Sequence, residues 1–408
     1  QRVVWREDEN SEIKHYRLLT VTYGLASSPF LAVRVLKQIA EDYKEQFPKA
    51  STVLLNDAYV DDIPTGCDNV QNLIELKNEL IELLSKANFN LRKFSSNCWP
   101  LLNTISTELC EFNPKTIDSE STSLSVKILG LRWHPANDNL FFDICKMTQH
   151  SAITKRIVLS ETSKIYDPLG IVSPSIVLFK TLFQELWLQD LSWDDPLPDE
   201  LQTQFNSYIQ DLQFLCAVRL PRHIGFSAEP AMELHGFADA SKIAFAAVVY
   251  SRVKIGDAYQ TNLIASKTHV APLKPISIPR LELSAALLLT RLVSSISSAL
   301  NISTSSAYYW TDSEIVLHWL SSPPRKWDVF VCNRTAEILT TTTRSQWHHV
   351  KSAHNPADCA SRGLPPSQLM EHELWWSGPS WLVLSQSDWP QSKHSISFDD
   401  CSVLAEAK

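Results

Sequence analysis

The order of periodicities after residue 230 constrains this chain most. Strand-like runs at 232–238, 243–251 and 259–266 come first, followed by an apolar stretch of helical period over 280–300. A strand at 306–311, helices at 313–320 and about 328–340, a strand at 346–351 and a short helix from Pro356 complete the order. Three strands, then helix–strand–helix–strand–helix, predict a mixed sheet with helices packed on it.

Four carboxylates fall where such a fold could gather them. Asp239 ends the first strand in His235-Gly236-Phe237-Ala238-Asp239-Ala240-Ser241, and Glu282 lies in the first turn of the long helix in Pro279-Arg280-Leu281-Glu282-Leu283. Asp312 ends the fourth strand in Trp310-Thr311-Asp312-Ser313, and Asp358 begins the last helix in Asn355-Pro356-Ala357-Asp358-Cys359-Ala360-Ser361-Arg362-Gly363. Taken singly, each reads better as an ordinary strand-end or helix-start residue. Taken together they call for cations, because two carboxylates about 4 Å apart repel by roughly 4 kcal/mol at an effective dielectric of about 20. Mg²⁺ prefers such hard oxygen ligands, and a pair of ions suits phosphodiester cleavage.

These motifs resemble the RNase H domain of BEL/Pao-type retrotransposons over about 230–365. The resemblance implies a five-stranded mixed sheet with flanking helices and a metal set of Asp239, Glu282, Asp312 and Asp358, with Mg²⁺ or Mn²⁺ as cofactor and an RNA–DNA hybrid as substrate. Cellular RNases H carry a His-containing loop before the last Asp. Here that loop is short, and His354 is its loose counterpart.

The first half resembles reverse transcriptase in its order of motifs. Ser27-Ser28-Pro29 opens a helix with Phe30, Val33, Leu36 and Ile39 on one stripe, and 70–87 reads as an amphipathic helix. An apolar strand over 53–60 is expected to enter the turn at Tyr59-Val60-Asp61-Asp62, and 89–94 and 126–133 read as further strands. By itself the Asp61-Asp62 pair reads as a solvated hairpin turn. By resemblance, Asp61 and Asp62 are polymerase metal ligands, and Thr22-Tyr23-Gly24-Leu25 lies beneath the templating base. Likewise Lys93 lies near the triphosphate, making Gly24 and Lys93 the nucleotide-binding candidates, and 127–133 is a primer-grip hairpin. The polymerase family needs a third aspartate on an earlier strand, so primer extension by this chain alone is not expected.

Between these halves, 153–165 reads as a helix closed by Asp167-Pro168-Leu169-Gly170, and Ser173-Pro174 as the cap of a second. Residues 153–190 resemble the region known as Pao retrotransposon peptidase. By position they are expected to be thumb or connection helices. The expected organisation is thus α/β and α+β multidomain: a partial reverse-transcriptase palm at 1–135, thumb or connection helices at 136–225, an RNase H-like domain at 226–370 and a tail at 371–408. The resemblance further implies fingers and palm supplied upstream, and an integrase from the same element, as partners.

Composition narrows the rest. A net charge of -8, from 45 acidic and 37 basic residues, argues against a simple basic nucleic-acid binder but not against an enzyme that holds nucleic acid through metal ions. Eight scattered cysteines with no C-x-x-C pair indicate reduced thiols, hence an intracellular protein, cytoplasmic or nuclear. No uninterrupted apolar run reaches the ~18 residues needed to span a bilayer, so no membrane partner is expected. No Asp-Ser-Gly or Asp-Thr-Gly occurs, which removes an aspartic peptidase dyad. His348, His349, His354 and Cys359 crowd together but lack zinc-site spacing. A metal-dependent nuclease is the favoured function. A remnant that only binds nucleic acid or protein is the alternative, and Glu282 on the long helix speaks against a DDE-type transposase or integrase.

Overall fold

The computed structural model describes residues 1–112, 125–128, 130–144, 152–225, 232–390 and 406–407. Leu129 of the primer-grip-like motif, Cys145, Cys401 and most of the tail beyond 390 lie outside the described residues. The chain forms two compact units, Gln1–Asp138 and Asn139–Lys408.

In the first unit, β1 (Arg2–Trp5) and β2 (Lys14–Arg17) form an exposed antiparallel pair. The helices α1 (Ser28–Asp42), α2 (Pro48–Asn56) and α3 (Val70–Ser85) follow, and then the short α4 (Trp99–Leu102). Ile39, Ala40, Phe47, Leu54, Leu76, Leu80, Leu83 and Leu84 make its core. Each large apolar side chain buried there contributes roughly 1.5–3 kcal/mol. β3 (Val126–Ile128) and β4 (Leu131–His134) pair antiparallel across Gly130, whose φ of 90° suits the turn. Two expected strands are absent. The residues read as a strand from Val53 onward lie in α2, because Pro48 starts a helix whose inner face takes Ala50, Val53 and Leu54. The segment 89–94 makes only an isolated bridge, Phe94 to Cys110.

The second unit opens with β5 (Asn139–Phe141), α5 (Lys155–Ser163), α6 (Ser173–Leu188), α7 (Asp199–Asp211) and the short β6 (Leu220–Pro221), which pairs with β5. Then come β7 (Glu233–Ala240), β8 (Ala244–Ile255), β9 (Ala258–Val270), α8 (Ile278–Leu300), β10 (Ala307–Thr311), α9 (Glu314–Ser321), α10 (Val329–Thr341), β11 (Trp347–His349), α11 (Ala357–Arg362), α12 (Pro366–Met370) and α13 (Glu373–Ser377). The last five strands form one mixed sheet in the order β11-β10-β7-β8-β9. β10 runs parallel to β7 and β11, and the β7-β8-β9 meander is antiparallel.

Both faces of this sheet are covered. Leu234 and Ala238 of β7 share one core with Leu281, Leu289 and Val293 of α8 and with Tyr309 of β10. The approach is close: a Cβ on Gly236 would sit 2.4 Å from the Leu289 side chain. On the opposite face His235 and Phe237 stack with Tyr308 and Trp310, and Trp381 and Trp389 close over them. The buried Arg252 guanidinium ties this layer down, donating to the carbonyls of Leu382 and Leu384 and pairing with Glu233 at 2.6 Å. Residues up to 389, within the segment assigned to a tail at 371–408, therefore pack against this sheet.

By length and composition alone α8 is long enough and apolar enough to cross a membrane, but 56% of that window is buried within the fold. Burial against the sheet accounts for its composition. Ser173 is the first residue of α6 rather than its cap. The helix has no side-chain cap; Asp167 instead braces the turn ahead of it, its carboxylate accepting from the backbone N–H groups of Ile171 and Val172, both at 2.8 Å.

Candidate active site

Sheet register brings the first two carboxylates together. Thr311 lies opposite Ala238 in the parallel β7–β10 pair, so Asp239 and Asp312 are the next residues outward on adjacent strands. Asp239 is the penultimate residue of β7, and Asp312 follows the end of β10. In parallel sheets the carboxyl ends of the strands are where ligand groups collect. Glu282 is the fifth residue of α8, in its second turn rather than its first, and reaches the same end of the sheet. Asp358 sits in the first turn of α11, with α12 and α13 beyond it.

The electrostatics report their proximity. Burial, then the Asp312 charge, push the Asp239 carboxyl up to about 8, with Asp358 and Glu282 adding to the push. Burial pushes Glu282 up to about 7, again with Asp312 adding. Both results follow from desolvating like charges side by side.

Each carboxylate is also held by a neighbour. Ser361 donates to Asp239 and Ser313 to Glu282. Ser352 donates to Asp312 at 2.5 Å, Asn355 donates to it at 3.3 Å, and Arg362 pairs with Asp358. Turned onto these donors, the side chains do not form a single-ion cage: among the described residues no three His, Cys, Asp or Glu groups are placed to hold one ion. The donor set itself, four hard oxygen ligands whose repulsion a cation would relieve, suits Mg²⁺ or Mn²⁺.

Ser313, Asn355, Ser361 and Arg362 lie inside the quoted motifs, yet sequence alone gave them no role. Ser352 carried no signal at all. His354 is exposed in a single helical turn before α11, and His348 stacks against Trp310 on the buried face. Cys359 lies 3.6 Å from His372, a partner its spacing did not suggest.

The polymerase-like residues belong to the first unit. Asp61 and Asp62 are exposed in a tight turn closed by reciprocal Tyr59–Asp62 backbone hydrogen bonds, and the element feeding it is a helix, not a strand. Gly24, at φ 79°, has open space around its Cα before α1, and Lys93 is exposed at φ 58° beyond α3. The structure thus places these four residues without joining them into a site.

Residues 154–313 match a family model described as the Pao retrotransposon-like RNaseH-like domain. That stretch is similar to a retrotransposon-type RNase H-like family. The match runs from the cap of α5 to the residue after Asp312, so this RNase H-like region takes in Asp239, Glu282 and Asp312 and stops short of Asp358. Its description is RNaseH-like also over 154–190, within the 153–190 stretch that resembles the region known as Pao retrotransposon peptidase. No curated protein matches the chain. A solved structure of the foamy viral protease-reverse transcriptase in complex with dsDNA is 14% identical, over 85% of this chain and 63% of that one. Its TM-score of 0.20 carries no weight for the fold, and the chain spans less than two thirds of that protein.

Proposed function

We propose that the second unit is a divalent-cation-dependent nuclease that cuts the RNA strand of RNA–DNA hybrids. The observation that carries the reading is the meeting of Asp239 and Asp312 on adjacent parallel strands, close enough to Glu282 and Asp358 that their charges oppose its ionisation. A cluster of this kind costs stability unless cations neutralise it. Asp239, Glu282, Asp312 and Asp358 would hold Mg²⁺ or Mn²⁺, which when bound activates water and stabilises the leaving oxygen of a phosphodiester.

The chain's own groups do the rest. Ser361, Ser313 and Ser352 orient three of the carboxylates. Arg362, bonded to Asp358 and close enough to Asp239 and Asp312 to feel their charge, sets a guanidinium at the rim where a phosphate would lie. No polymerase step is assigned to the first unit, because Asp61 and Asp62 sit in an exposed turn fed by a helix.

The test uses the full chain with an end-labelled hybrid and added Mg²⁺ or Mn²⁺. Cleavage of the RNA strand that stops on chelation is the expected result. Cleavage undiminished in EDTA would remove the cation-dependent reading, and hybrid binding without cleavage under any divalent cation would leave a binding remnant instead.

A further inference from the structure

Asn355 is fully buried, and its side chain touches the three carboxylate-bearing segments that come from different parts of the sequence. Its Nδ2 donates to the Ala238 carbonyl at 3.0 Å, in the peptide leading into Asp239. The same nitrogen donates to Asp312 Oδ1 at 3.3 Å. Its Oδ1 accepts from the Ala357 N–H at 3.2 Å, one residue before Asp358, and its own carbonyl accepts from the Asp358 N–H at 3.1 Å. Pro356 holds the preceding backbone extended, at φ -93° and ψ 101°, which aims this amide inward.

An amide is the one small side chain that donates twice and accepts at the same point. Aspartate of the same shape would set a third charge against Asp312 and lose both donated bonds. A hydrophobic residue would leave the Asp312 carboxylate and the Ala357 N–H each short of a partner. The chemistry at 355 is therefore matched to fixing distances between segments, beyond filling a hole in the core.

We propose that Asn355 is a positioning residue that sets the spacing of Asp239, Asp312 and Asp358 for a divalent cation. The assignment rests on the nuclease reading above. Residues behind metal ligands change cation affinity by about 10–100-fold when removed, whereas a residue that only packs changes stability and leaves affinity alone.

The experiment compares the full chain with Asn355→Ala and Asn355→Asp. The rise in melting temperature with added Mn²⁺ gives a cation midpoint without reference to activity, and hybrid cleavage gives kcat and KM separately. Expected for both variants is a midpoint raised about tenfold or more, with kcat lowered and KM for the hybrid little changed. Asn355→Asp, which adds a charge against Asp312 and loses both donated bonds, should lose cation affinity at least as badly as Asn355→Ala. Unchanged midpoints with a lowered cation-free melting temperature would overturn the assignment and leave a packing role. Loss of cooperative melting in both variants would overturn it in the same way. If the unaltered chain shows neither a cation-induced shift nor cleavage, the nuclease reading itself fails, and this assignment with it.

Discussion

Asp312 accepts hydrogen bonds from Ser352 and Asn355 while its charge opposes ionisation of both Asp239 and Glu282. Asp312→Asn keeps the shape and removes that charge. Hybrid cleavage is expected to fall by about 100-fold or more, as for loss of a group that acts at the developing charge. The cation-free chain should melt no lower, because it gains from relieved repulsion. A clear drop in cation-free melting temperature with cleavage nearly intact would make Asp312 a structural turn residue. The four carboxylates were legible in the sequence because each ends or begins an element, and periodicity alone can locate such junctions. Their donors were not legible. Ser352 lies 40 residues from the aspartate it holds, and a lone serine opening a single helical turn has no pattern to betray it.

At the scale of elements, the turn Asp167-Pro168-Leu169-Gly170 joins the helices to the sheet. Leu169 accepts from the Ser266 N–H at 2.8 Å on the edge strand β9, and a Cβ on Gly170 would sit 2.0 Å from the Ser266 carbonyl oxygen. Asp167 braces the turn ahead of α6 at this joint, and burial pushes its carboxyl up to about 6 against the three backbone donors and Lys180, which pull it down. An acid whose pKa is higher folded than unfolded stabilises most when protonated. That contribution is whole below about pH 4 and is lost as pH rises through about 6. Its upper bound is about 3 kcal/mol, from roughly two pKa units at about 1.4 kcal/mol each. The stability difference between the unaltered chain and Asp167→Asn should therefore change across pH 4–6.5 and be flat above it. A difference that does not vary with pH in that window would show Asp167 to be ionised throughout. Strong periodicity made α1, α3, α8 and every strand of the five-stranded sheet readable in advance. The segment from Val53 was misread because an apolar run of that length fits a strand or a buried helix equally, and only Pro48 and the core around Leu54 decide between them.

For the molecule as a whole, the decisive matter is where the unit that carries the proposed nuclease site begins. The four carboxylates span only 239–358, which invites a minimal fragment of 226–370. The contacts argue otherwise. Gln184 of α6 donates to the Ala271 carbonyl at 2.7 Å, Ser175 donates to the Leu364 carbonyl at 2.9 Å, and Leu364 N–H donates to the Pro174 carbonyl at 2.9 Å. From beyond 370, the indole of buried Trp375 donates to the Ile171 carbonyl at 2.9 Å, and Tyr250 donates to the Trp375 carbonyl at 2.6 Å. A fragment of 226–370 would bare the edge of β9, an invitation to strand-to-strand association. It would also strip Trp375, Trp381 and Trp389 from the aromatic face and take the Leu382 and Leu384 carbonyls from Arg252. Each large apolar side chain so uncovered forfeits roughly 1.5–3 kcal/mol, a large share of the stability of a domain this size. Residues 139–408 are therefore expected to melt cooperatively and cleave hybrid, while 226–370 should aggregate or melt without a cooperative transition although it retains all four carboxylates. Equal melting temperatures and equal cleavage for the two fragments would show that the helices and the C-terminal layer are accessories to the sheet.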